Sequence, residues 1–134
     1  MLRRHFIINT ESSIPNNEIW YTSSDGNIVT PSNTNSLPTI DSNTYNGGKG
    51  VIKFKTDVTS IGAYAFFTKS RFRAIVIPNS VTSIGSSVFE SCSSLTSISY
   101  NGTISQWNTI TKDISWNKNV PATVVHCTDG DVEI

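Results

Sequence analysis

Histidine, cysteine and clustered carboxylates are the side chains with which a chain this polar could do chemistry, and their spacing is the first test. The 134 residues hold two histidines, His5 and His126. His126 is followed directly by Cys127 in ATVVHC, which reads as a strand. Neighbouring side chains on a strand point to opposite faces, so these two cannot form a nucleophile–base dyad directly. Serines are many, but none sits in a Gly-x-Ser-x-Gly elbow. Asp129, Asp131 and Glu133 cluster in TDGDVE without the spacing of a calcium loop, and read as a solvated acidic tail. NGGKG lacks the Gly-Lys-Ser/Thr ending of a phosphate loop and reads as a turn. The sequence thus points to no catalytic residue, no metal and no cofactor.

The one uneven feature is charge. Ten basic and ten acidic residues balance, so no global field recruits nucleic acid or an anionic membrane. Six of the ten basic residues fall between positions 49 and 73: Lys49, Lys53, Lys55, Lys69, Arg71 and Arg73, against the single acid Asp57. This predicts a cationic shoulder on an otherwise neutral molecule. It could dock an acidic glycan, protein or surface polymer, or it could be a set of lysines that guards an exposed strand.

The elements that position these residues follow from composition and repetition. Ser, Thr and Asn fill 49 of the 134 positions while charged residues make up 15%, a mixture suited to strands and turns. Two cysteines, Cys92 and Cys127, prescribe no disulfide framework; a pair between them is one reading, and two buried free thiols the favoured one. The opening MLRRHFIINT has an apolar run of only three residues, too short for a secretory signal. VTSIG occurs at Val58 and again at Val81, and aligning 58–80 on 81–103 leaves eight identical positions. VIKF, AIVI and SISY then read as three copies of one alternating strand. A period in the twenties that joins a strand to a return segment is the mark of a solenoid. Val58, Ile61, Phe66, Phe72, Ile75 and Ile77 point inward in the first copy. In the second, the inward set is Val81, Ile84, Phe89, Leu95, Ile98 and Tyr100. Gly62 and Gly85 are expected to supply a backbone conformation that a side chain would hinder. AYAFF and SSVFE are each expected to form one helical or 3-10 turn.

The pattern of Val81, Ile84, Gly85, Phe89, Cys92, Leu95 and Ile98 resembles the BspA-type leucine-rich repeat of bacterial surface proteins. The first copy departs from it, with Lys69 where the family favours Cys. The resemblance spans roughly residues 51–131. It implies a β-rich leucine-rich-repeat solenoid, a right-handed β/α-type coil, with a role in surface attachment or recognition and a cell-surface or extracellular location. It also implies an open strand face lined by residues alternating with the inward ones: Val51, Lys53 and Lys55, then Ala74 and Val76, then Ser97, Ser99 and Asn101, with Arg73 and Thr96 at the margin. Lys53, Lys55, Arg73, Val76, Thr96, Ser97 and Ser99 are the candidate ligand-binding residues.

The ends complete the expectation. Residues 1–17 read as an N-terminal arm and 18–134 as one domain, divided into an N-terminal cap (18–50), repeats (51–103) and a C-terminal cap (104–134). EIWYTSSDGNIVTP reads as a β-hairpin turning at Asp25-Gly26, with Trp20 or Tyr21 inward, and 31–50 as a long loop. Thr103-Ile104-Ser105-Gln106 has capping-box spacing and opens a short helix carrying Trp107 and Ile110, after which ATVVHC forms a last strand. Two functions fit: a non-enzymatic module binding a protein or glycan through the open face, or a structural spacer acting through self-association.

Overall fold

The computed structural model describes residues 13–134. These described residues form ten strands and one α-helix. Seven strands make a mixed sheet in the order β10 (Gly130–Glu133), β9 (Val124–Cys127), β7 (Ser97–Tyr100), β5 (Phe72–Ile77), β1 (Glu18–Ser23), β3 (Lys49–Phe54), β2 (Ile40–Asn46). A smaller sheet stacks β4 (Ser60–Ile61), β6 (Ser83–Ile84) and β8 (Thr111–Lys112).

The two VTSIG copies lie as their alignment predicts. β5 and β7 are parallel with Ile75 opposite Ile98 and Ile77 opposite Tyr100, and β4 and β6 are parallel with Ile61 opposite Ile84. Val58, Ile61, Phe66, Phe72, Ile75, Val81, Ile84, Phe89, Leu95 and Ile98 are all buried.

Three expectations are corrected. VIKF does not stack directly on AIVI: β1 inserts between β3 and β5 and pairs antiparallel with both. Alternating apolar residues mark a strand that buries one face, but they do not say which neighbour it takes. The N-terminal hairpin is not at Asp25-Gly26. It is β2–β3, turning at Gly47 and Gly48, whose φ values of 58° and 81° supply the left-handed geometry such a turn requires. The acidic stretch is not a tail but β10, which folds back antiparallel on β9.

The genuine third copy lies further on. β8 stacks parallel on β6 with Ser83 opposite Thr111, and β9 stacks parallel on β7 with Ser99 opposite His126. The offset is 28 positions in one sheet and 27 in the other, because α1 (Ile104–Thr109) is inserted before β8. Thr103 caps this helix by accepting from the Gln106 backbone N–H while the Gln106 side chain accepts from the Thr103 N–H, the capping box that the spacing predicts. At its other end the Lys112 Nζ donates to the carbonyls of Trp107 and Ile110. That places a cation where the last carbonyls lack partners.

The return segments are not helical. Tyr64 and Thr68, Ser87 and Ser91, and Ser115 and Asn119 all have φ near +60°, one pair per copy. A left-handed residue interrupts a helix, so Ala65, Phe67 and Lys69 N–H keep isolated 3-10-type bonds to the carbonyls of Gly62, Tyr64 and Phe66 while the alternate donors turn to the next copy. Tyr64, Phe66 and Thr68 N–H donate to the carbonyls of Ser86, Val88 and Glu90, and Phe89 and Ser91 N–H to those of Trp116 and Lys118. At the open end of this ladder the loop at 32–36 takes the place of a preceding copy. Ser32 N–H donates to the Ala65 carbonyl, Ser36 Oγ donates to that of Ala63, and Gly62 N–H donates to that of Ser36.

An aromatic chain runs through the core from end to end. Tyr45, Tyr21, Phe72, Phe66, Phe89, Trp116, Trp107 and Tyr100 follow one another with ring centroids 5.1–6.3 Å apart, Phe66 and Phe89 stacked at 3° between planes. Tyr21 is the inward member of the Trp20/Tyr21 pair.

Candidate functional site

The outward side chains of the large sheet form cross-strand rows. One row runs Thr44, Val51, Trp20, Val76, Ser99, His126, Asp131 from β2 to β10. The face expected to be open is covered along this row. Ile14, Trp20, Ala74 and Val76 bury one another, with Val51 packed alongside, and Val76 is 2% exposed. The cause is β1: it places Trp20 directly beside Val76, where the sequence left that position to solvent. Residues 14–17 are stitched to the body, since the Asn16 and Asn17 carbonyls accept from Val58 and Phe54 N–H. The rest of the predicted arm, residues 1–12, lies outside the described residues.

Ser99 is also out of solvent, at 1% exposed, and its Oγ has no hydrogen-bond partner. It stands between Val76 and His126, and His126 Nδ1 lies 2.9 Å from an Asp131 carboxylate oxygen. Three strands thus bring a serine, a histidine and an aspartate into one row, which no local motif in the sequence announces. Ser99 Oγ is buried and makes no hydrogen bond to His126, the contact through which a base would activate a serine. Asp129 is occupied as well, accepting from the Ile104 N–H at the start of α1.

The six basic residues do not form one shoulder. Lys49 Nζ lies 3.3 Å from the centroid of the Trp20 ring, whose indole N–H donates to Glu18. Lys55 pairs with Asp41 at 3.2 Å, and Arg71 forks onto Asp25 at 2.9 and 3.0 Å while also donating to the Ile28 carbonyl. Lys53, Lys69 and Arg73 have no ion pair among the described residues. Lys53 stands opposite Glu18 at one end of β1, and Arg73 lies beside Ser23 at the other. The sheet therefore separates Lys53 and Lys55 from Arg73.

Arg73 owes its position to a bulge. Between Thr22 and Ser23 the register advances one residue on β1 and two on β5, so Arg73 is the extra residue. The bulge lets Phe72 and Ile75, three positions apart, both face the core, and it turns Arg73 out to water. The Arg73 carbonyl accepts from Thr96 N–H, and Ser97 stands opposite Ala74, so Arg73, Thr96 and Ser97 share one margin. The outward row from Thr22 crosses Ala74 to Ser97, while Lys49 lies over Trp20. Of the sequence candidates, the structure gathers Arg73, Thr96 and Ser97, sets Lys53 and Lys55 apart, and buries Val76 and Ser99.

Cys92 and Cys127 are both free thiols. Cys92 is buried and donates from Sγ to the Phe66 carbonyl of the preceding copy at 3.0 Å. Burial pushes its thiol up to about 11. Burial, with help from Asp129 and Asp131, does the same for Cys127. Neither is a ready nucleophile at neutral pH. Among the described residues no helix is long and apolar enough to cross a membrane.

Comparison with curated proteins and with solved structures returned no match. The model of the BspA type leucine rich repeat region matches residues 12–115 in six copies, more than three quarters of the chain. The buried Val-x-x-Ile corners, the stacked phenylalanines and the parallel pairing of successive copies are the physical content of that match, and the chain belongs to the BspA-type leucine-rich-repeat family.

Proposed function

We propose that this chain is a non-enzymatic recognition or attachment module that engages a protein or glycan at a cell surface. Membership in a family of interaction scaffolds supports the class. The parallel stacking of three copies in two sheets supports a short right-handed solenoid as the carrier. The observation that carries the reading is Arg73: a bulge holds in water a guanidinium with no ion pair among the described residues, with Thr96 and Ser97 alongside. A planar fork of donors flanked by hydroxyls suits a carboxylate or sulfate on the partner. Lys53 and Lys55 form a second, weaker contact at the far end of the strands, since Asp41 already holds Lys55.

The test is binding of labelled protein to a panel of acidic glycans, matrix proteins and bacterial cells. Arg73→Ser is expected to weaken saturable binding about tenfold, in line with losing one charge-assisted contact. Lys53→Ser with Lys55→Ser is expected to weaken it less. Affinity unchanged in the Arg73 variant, with the fold intact, would remove this margin as the site. A second reading, assembly through self-association, is favoured by one observation: Ile114 is 83% exposed beside β8, the unpaired edge of the small sheet.

A further inference from the structure

The motif VTSIG holds two residues that the core does not require. Val58, Ile61, Val81 and Ile84 are buried, while Thr59, Ser60 and Thr82 are exposed and Ser83 is half-buried. These hydroxyls form a ladder on the small sheet. Ser83 Oγ donates to Ser60 Oγ at 3.0 Å, Thr82 Oγ1 donates to the Thr59 carbonyl at 3.1 Å, and Thr111 stands opposite Ser83 one strand further on. Strands in a sheet lie about 4.8 Å apart, so hydroxyls step along the face at that interval.

The ladder starts at a groove of about 260 Å³ lined by Asn35, Ser36, Leu37, Pro38, Thr59 and Ser60. None of these six carries an ionisable side chain. Four offer hydroxyls or amides and two offer apolar surface. Ser36 of the lining bonds both Gly62 and Ala63, and Tyr64 is the next residue along the chain, outside the lining itself. Tyr64 has φ of 62°, where the other two copies place Ser87 and Ser115. A bulky residue in the left-handed region is strained by about 1 kcal/mol or more, and the return segment imposes that geometry here whichever residue stands at the position. The ring is nevertheless 48% exposed, and Phe67 braces it edge-on at 5.3 Å and 84°.

We propose that the groove, the Tyr64 ring and the hydroxyl ladder bind an uncharged polysaccharide chain. A sugar presents C–H faces to an aromatic ring or to Leu37 and Pro38, and hydroxyls that pair with Ser, Thr and Asn. An ionic ligand finds no counter-charge in the lining. A ladder extended in one direction fits a polymer better than a single small molecule. The site shares no residue with the Arg73 margin, so the two surfaces fail or stand separately.

The experiment is native gel electrophoresis of the intact chain with dextran, soluble starch or hydroxyethyl cellulose cast into the gel. Retardation by at least one of the three is expected, and it persists at high salt because no charge is involved. Tyr64→Asn suits the left-handed backbone, so thermal stability holds or rises while binding falls about tenfold, the loss of one stacking contact. Ser60→Ala combined with Ser83→Ala weakens binding, and Lys53→Ser, Lys55→Ser and Arg73→Ser together leave it unchanged. No retardation by any of the three polymers overturns the proposal. So does retardation that survives Tyr64→Asn, or that is lost in the Lys53/Lys55/Arg73 variant.

Discussion

Gly62 and Gly85 have ordinary backbone angles, so the expectation that they supply a special conformation is replaced by one of space. A Cβ on Gly85 would lie 2.6 Å from the Ala63 nitrogen and 3.0 Å from the Gly62 carbonyl carbon, and one on Gly62 would lie 2.8 Å from the Ser36 carbonyl oxygen. The residues that do take left-handed angles in the return segments are Tyr, Thr, Ser and Asn, which no glycine announces in the sequence. At the same scale, the raised thiol of Cys92 gives a pH prediction. Burial holds its folded pKa at about 11, above the ordinary thiol value of 9.0, so its contribution is intact below pH 9 and lost as pH rises through 11. Two pKa units correspond to about 3 kcal/mol at most. The thermal midpoint should fall between pH 9 and 11, and Cys92→Ala, less stable at pH 7, should show a flatter fall. An equally steep fall in that variant would assign the pH dependence to other groups.

At the scale of elements, the copies at 58–80 and 81–103 were legible because the inward corner repeats letter for letter. The third was not. α1 lengthens its spacing, Lys112 stands opposite Ile84, and Trp116, in place of Val88, accepts the hydrogen bond that joins the copies. Backbone geometry is retained where side-chain identity is lost, so a reading by identity stops one copy short. The covering of the strand face was illegible for another reason: β1 is earlier in sequence than both strands it separates. Of the binding candidates, Arg73 was legible as a charge, but the bulge that exposes it depends on pairing with β1. The close approach of copies predicts that Gly85→Ala, whose new methyl meets backbone rather than a yielding side chain, costs about 2–3 kcal/mol in urea unfolding. A loss below about 0.5 kcal/mol would mean that the copies are not this close.

For the whole molecule, the two ends differ. The first copy is closed by the loop at 32–36 and by β1, β2 and β3, while past the third copy β10 closes the large sheet and β8 is left as an edge. β10 is short and carries Asp131 and Glu133, which discourages edge-to-edge pairing. β8 is followed by Asp113 and the exposed Ile114, and the assembly reading places self-association at that edge. Light scattering at rising concentration should then show a dimer or larger species that Ile114→Asp abolishes, and a monomer at every concentration would dismiss the assembly reading. All the surfaces described above are carried on the three-copy stack, with its aromatic chain and its ladder of return segments. Native-state hydrogen exchange tests that stack most directly, at the amides of Phe66, Thr68, Phe89 and Ser91, which bridge one copy to the next. The stack predicts that all four exchange slowly and with the same opening free energy, as one cooperative unit. Fast exchange at Phe89 and Ser91, with Phe66 and Thr68 protected, would contradict it by showing that residues 111–127 do not form the third copy.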